Sequence, residues 1–309
     1  MRSPAGRMVT LRKCRRSCAR ASLPRVCTYS GYLHSALALP PATHSYRGQH
    51  VCLLRLLCGL RKQLGGKDHY EADRAAGDEV ARFRPHVVAG ARANRAFLAR
   101  AVRYLAGDCG IRQFFDVGTG LPAPDSTHQV AQRADPACRV VYVDNDPVVL
   151  SHARALLIST PQGTCDYIDA DLHDPGAIIA QAGRILDFTQ PVAILLLAVL
   201  HFFPDADYPA GVVAALADGL APGSYLAVSH LTADLAPDQV TAAATAYNTL
   251  ASVPVTFCTH AQVTGLFGEL PLVAPGVVPV SQWRPGPGEG SRPPADLYAG
   301  LARIPRAGH

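Results

Sequence analysis

One stretch restricts the fold of this 309-residue chain more than any other: Phe114-Phe115-Asp116-Val117-Gly118-Thr119-Gly120. Two aromatics, an acid and a valine read as a buried strand running into a tight Gly-x-Gly turn. Glycine suits a place where a ligand approaches backbone, because it lacks a Cβ and accepts positive φ. By itself a Gly-x-Gly is weak, and its meaning depends on what ends the neighbouring strands.

Downstream of it strand and helix alternate, which predicts an α/β fold with a parallel sheet and right-handed crossovers. Strands are expected at 113–117, 139–144, 164–169, 192–197 and 224–230. Ser126 or Thr127 can cap the first intervening helix, and Asp146-Pro147 and Asp174-Pro175 each place a capping acid before a helix-starting proline. The apolar run 192–204 fits a strand buried on both faces and is too short to span a membrane. Upstream, helices are expected at 71–83 and 87–106, broken at Pro85, with Ala93, Phe97, Ala101 and Leu105 on one face of the second. Further helices are expected around 237–250 and 259–270. Two short strands around Pro275-Gly276, within 272–283, read as an antiparallel hairpin closing the sheet, and 286–309 as a flexible tail.

Charge divides the chain. Residues 1–63 hold 12 Lys/Arg and no acid, while the rest holds 17 Lys/Arg and all 24 acids. The net +5 therefore belongs to a basic leader, and the body from 64 to 285 is mildly acidic, which argues against a nucleic-acid-binding face. The leader lacks periodicity and is compatible with a transit peptide, a basic arm or a non-native extension. Cys109, Cys138, Cys165 and Cys258 stand singly, without zinc-site spacing, as small apolar residues of a reducing cytoplasm. No metal, membrane span or nucleic-acid partner is expected, and the oligomeric state is left open.

Ligands of open α/β sheets sit beyond the carboxyl ends of the strands. Here the first strand ends in Asp116-Val-Gly118-Thr119-Gly120, the second in Asp144-Asn145, the third in Asp169-Ala170-Asp171-Leu172 and the fourth in Ala198-Val199-Leu200-His201. An acid two residues before the first glycine repels pyrophosphate and suits an ammonium group. An acid closing the next strand suits a ribose diol, and Asp171 with the following backbone N–H suits an adenine edge. Amine, ribose and adenine without phosphate describe S-adenosyl-L-methionine. The expected cofactor-binding residues are Asp116, Gly118, Thr119, Gly120, Asp144, Asn145, Asp171, Leu172, Ala198 and Val199. Lys67 or Arg95 can pair with the methionine carboxylate.

The body resembles a bacterial S-adenosyl methyltransferase family long catalogued as a domain of unknown function. The resemblance is carried by Gly65-Gly66-Lys67-Asp68 with Asp73-Arg74, by Ala93-Asn94-Arg95-Ala96-Phe97-Leu98, and by Phe115 to Pro122. It continues through Val140-Val141-Tyr142-Val143-Asp144-Asn145-Asp146-Pro147, Val199-Leu200-His201-Phe202, and Pro275-Gly276-Val277 to Trp283-Arg284-Pro285. Arg61-Lys62-Gln63 stands where relatives carry a tyrosine-bearing helix. The resemblance implies a Rossmann-like class I methyltransferase: a seven-stranded, mostly parallel sheet with helices on both faces and Asp116, Gly118, Gly120, Asp144 and Asp171 around the cofactor. Methyl transfer asks a protein for alignment, water exclusion and sometimes a base. His201 is the candidate base, with His230 and Tyr70 behind it. A small-molecule acceptor is expected; the alternative is a cofactor-binding regulatory module without transferase activity.

Overall fold

Side chains alternate between the two faces of a strand, so each strand feeds two cores. The computed structural model of the chain describes residues 85–156, 158–235, 237, 255–286 and 295–305. The leader, the Gly65–Asp68 turn with Lys67, Tyr70, the helix expected at 71–83 and all but Pro237 of that expected at 237–250 lie outside the described residues. In β1 (Gln113–Val117), Phe115 and Val117 enter one core and Phe114 the other. β2 (Arg139–Asp144), β3 (Thr164–Asp169), β4 (Ala193–Leu197) and β5 (Tyr225–Leu231) follow at or within a residue of their expected bounds. They pair in parallel, and with β6 (Val278–Pro279) and β7 (Leu297–Arg303) the order across the sheet is β3-β2-β1-β4-β5-β7-β6. β4, Ala-Ile-Leu-Leu-Leu, is buried along its whole length, as a strand covered on both faces requires.

Helices α1 (Pro85–Arg103) and α2 (Thr127–Ala134) cover the face carrying Phe114 and Val140. Helices α4 (Pro175–Ala182), α5 (Pro209–Ala217) and α6 (His260–Gly265) cover the face carrying Phe115 and Val141, and α3 (Pro147–Leu156) joins β2 to β3. Pro85 is the first described residue of α1, which includes it where a break was expected. Ser126 precedes α2 and its N–H donates to Gln129 Oε1 at 3.1 Å, half of a capping box. Asp174 accepts from the Ala177 N–H at 2.9 Å with Pro175 next to it.

The far edge of the sheet differs from expectation. Residues 272–283 do not fold back on themselves: of them only Val278–Pro279 joins the sheet as a strand, and its partner is β7. β7 comes from the stretch read as a flexible tail. It lies antiparallel between β5 and β6, with Ser229 opposite Ala299. Leu297, Ala299 and Leu301 enter one core, Tyr298 and Ala302 the other. Helix α6 is likewise shorter than the expected 259–270. Arg100 staples this region to α1: buried, it donates from Nε to Trp283 O at 2.8 Å and from Nη2 to Val280 O at 2.7 Å. Trp283, fully buried, meets Phe97 edge-on with ring centroids 5.3 Å apart.

Candidate functional site

Strand order reverses between β1 and β4, the place where open α/β sheets part to admit a ligand. The turn after β1 hangs on β2, with the Gly118 and Thr119 N–H groups donating to Val143 O at 2.8 and 3.3 Å. Gly118 has φ 74°, and a Cβ there would lie 2.3 Å from Val199 Cγ2 in the turn after β4. The two turns therefore interlock, which only a glycine permits. Gly120, at φ 61°, has open space where its Cβ would point. Its N–H donates to Asp144 Oδ2 at 2.8 Å, while Asp144 Oδ1 accepts from the Asp146 N–H at 3.1 Å. Burial pushes the Asp144 carboxyl up, and the N–H groups of Gly120 and Asp146 oppose it.

One step beneath this edge runs a polar row set by register: Asp116 stands opposite Tyr142, and Tyr142 opposite Tyr167. Asp116 is 6% exposed, and its Oδ2 accepts from Thr127 Oγ1 at 2.6 Å. Burial raises its carboxyl to about 6, against the lowering effects of the Thr127 hydroxyl and the Arg95 charge. Arg95 pins the turn after β1 by donating to Ala123 O at 3.0 Å and to Pro124 O at 3.2 Å. Tyr142 Oη accepts from the His128 N–H at 2.9 Å, and Tyr167 Oη lies 3.2 Å from Thr119 Oγ1. Arg95, Asp116, Gly120, Thr127, Tyr142 and Tyr167 enclose a cavity of about 20 Å³, the size of one water. A wider hollow of about 810 Å³ opens at the amino edge between Arg139, Arg184 and Pro222, but none of the expected cofactor residues borders it.

The remaining expected residues gather at the carboxyl edge too. Ala198 holds a left-handed φ of 57°, its N–H shared between Ser229 O at 3.1 Å and Ser229 Oγ at 2.9 Å. Ser229 Oγ in turn donates to Asn94 Oδ1 of α1 at 2.6 Å. Asn145 Nδ2 donates to Asp171 Oδ2 at 3.3 Å, and the Leu172 side chain is buried in the core. His201 is buried at the end of β4, its ring 5.9 Å from that of His230, and its Nδ1 has no hydrogen-bond partner among the described residues. Burial, then the neighbouring His230, lowers it to about 3. It is neutral at physiological pH. Thr127, expected only as a helix cap, joins the site together with Tyr142, Tyr167, Asn94 and Ser229, none of which was expected there. Two-residue alternation back from Asp144 and Asp169 finds both tyrosines, whereas Asn94, Thr127 and Ser229 join the site only through tertiary packing.

A seven-stranded sheet of this order, its last strands antiparallel and helices on both faces, is the Rossmann-like fold of class I methyltransferases. The chain belongs to the S-adenosyl methyltransferase family, whose family model matches residues 62–305. It is accordingly an S-adenosylmethionine-dependent methyltransferase. Among solved structures it is similar to a DUF574 family protein from Streptomyces avermitilis, at 42% identity over 81% of this chain and 97% of that one, with a TM-score of 0.75. It is also similar to a candidate methyltransferase from Thermobifida fusca, at 39% identity over 82% of this chain and 94% of that one, with a TM-score of 0.69. Among curated proteins none matches the chain. No described helix is long and apolar enough to cross a membrane.

Proposed function

We propose that Asp116, Gly118, Thr119, Gly120, Asp144, Asn145, Asp171, Leu172, Ala198 and Val199 hold S-adenosylmethionine at the carboxyl edge, and that the methyl acceptor is a small molecule. Asp144 carries this reading. Oδ2 takes the Gly120 N–H and Oδ1 the Asp146 N–H, with the Asn145 N–H also favouring the charged form, and a carboxylate with about four lone-pair sites keeps room to accept from a ribose diol. Beside it the space at Gly120 is open. Asp116 suits the amino group: buried, with Oδ2 bonded to Thr127, it meets a cation more favourably than it meets the apolar core.

Bound S-adenosylmethionine supplies a methyl group on a sulfonium. The chain aligns and dehydrates the site: the interlocked turns at Gly118 and Val199 fix its floor, and Leu200 and Phe203 close the core beneath. His201 stays in the proposal as a wall of the acceptor side. A group lowered to about 3 takes up little proton at neutral pH, so its part is hydrogen bonding and shape, not proton storage. The acidic balance of the body and the short connections between strands favour a small acceptor. The free Cys109, Cys138, Cys165 and Cys258 suit a reducing cytoplasm.

Calorimetry with S-adenosylhomocysteine on the full chain tests the site. The wild type binds, and Asp144→Ala weakens binding by about a hundredfold, the worth of two hydrogen bonds to a charged group. Failure of the folded wild type to bind, or unchanged affinity in D144A, defeats the assignment.

A further inference from the structure

Downstream of β3 the chain builds a strap that methyl transfer alone does not require. His173 Nδ1 lies 2.7 Å from Asp171 Oδ1, which also accepts the His173 backbone N–H at 2.9 Å. Its Nε2 lies 3.2 Å from Asp207 Oδ2, in the 3₁₀ turn Asp205–Asp207 before α5. The imidazole stacks on Phe203, with centroids 4.3 Å apart and planes at 22°. Phe203 is itself buried, so the ring has a fixed seat. Asn145, from the end of β2, completes the chain by donating to Asp171 Oδ2 at 3.3 Å. Hydrogen bonds thus run from the loop after β2 through the loop after β3 to the loop after β4.

Both ring nitrogens face carboxylates, and a carboxylate only accepts. A neutral imidazole donates from one nitrogen and satisfies one acid; the imidazolium donates from both. The charged groups facing the ring are Asp171 on its own loop and Asp207 on the turn before α5. Partial burial opposes the charge on His173, but the bonds to Asp171 and Asp207 outweigh it and raise its pKa. Partial burial likewise opposes the charge on Asp171, and the bonds from His173 and Asn145 prevail, holding that carboxyl below its usual range.

We propose that His173 in its charged form is the positioning residue of the cofactor rim: by bridging Asp171 to Asp207 it fixes the carboxylate that receives the adenine edge and draws the loops after β3 and β4 together. The proposal rests on the cofactor placement above. The charged state is favoured in the strap, so the bridge is complete below the ordinary histidine pKa of 6.5 and is lost as pH rises through the raised one. Cofactor affinity then falls with rising pH. Arginine keeps two donors and its charge throughout, and glutamine never carries charge.

The test is S-adenosylhomocysteine calorimetry on the full chain at about pH 6.5 and about pH 8.5, for the wild type, His173→Arg and His173→Gln. From the lower to the higher pH the wild type should weaken about fivefold more than H173R, the scale of a partly exposed ion pair. H173Q should share the shallow slope of H173R while binding more weakly than the wild type at the lower pH. Asp116 and the ligand amine titrate alike in all three, so the difference between slopes isolates residue 173. Melting temperatures at both pH values check the fold, and an NMR titration should show the His173 pKa dropping toward 6.5 in Asp207→Asn. Binding with equal slopes in the wild type and H173R overturns the strap and leaves the cofactor site standing. No binding by the wild type at either pH removes the cofactor site, and the strap's role with it.

Discussion

At position 116 a carboxylate sits inside the protein with one hydroxyl as its donor. Its pKa rises from 3.8 to about 6, so between those values the folded chain binds more protons than the unfolded one. Stability on account of Asp116 therefore falls as pH climbs from 3.8 to about 6 and stays lowered at neutral pH. Asparagine keeps an acceptor for Thr127 and removes the buried charge. Asp116→Asn should stabilise the protein by roughly 1–3 kcal/mol at about pH 7.5 in thermal unfolding, while weakening S-adenosylhomocysteine binding. A destabilised D116N, or one that binds as tightly as the wild type, contradicts the ammonium role. The acid was legible in the sequence, two residues before Gly-x-Gly. Its donor was not, because Thr127 reaches it only once α2 docks on the face of Phe114. His201 shows the opposite gap: its place at a strand end was readable, but its neutrality follows from burial among His230 and Phe202, which no spacing discloses.

Among elements, the five parallel strands were readable because four are short, mostly apolar runs, while the mixed β3, Thr-Cys-Asp-Tyr-Ile-Asp, was marked by its place between helices and by the acid that ends it. β7 was hidden. Pro and Gly crowd the sequence just before it, and its core-facing residues Ala299, Leu301 and Ala302 give a weak alternating signal. What makes it a strand is the open edge of β5, whose N–H and C=O groups need partners. Gly300 shows how tight the seat is: a Cβ there would lie 3.0 Å from both Phe267 and Val277 side chains. Ending the chain at 286 should therefore abolish cooperative unfolding, not trim a tail, as circular dichroism on heating can check. A soluble truncation with an unchanged melting temperature contradicts a structural role for β7.

On the scale of the molecule the two edges of the sheet have separate characters. Asp144 and the positive-φ residues Gly118, Gly120 and Ala198 lie at the carboxyl edge, while the hollow at the amino edge is bordered by Arg139, Arg184, Asp187 and the positive-φ turn at Gly219. The family match begins at 62, near the composition change at 63–64, and runs to 305, past the last β7 residue. A chain restricted to 62–305 should fold and bind S-adenosylhomocysteine within about twofold of the full chain, a difference of about 0.4 kcal/mol in calorimetry. A larger loss gives the leader a part in the site. The sheet also carries a temporal consequence. β1 and β2 pair between positions 113 and 139, and β5 has β4 on one side, but its other edge must wait for β7 across the whole span from 231 to 297. The cost of closing a loop grows with its length, and non-local pairings slow folding. Until β7 arrives, β5 presents a bare edge that another copy of the chain can extend. The strand that finishes this enzyme is thus also the one that keeps its half-made sheet from recruiting its neighbours.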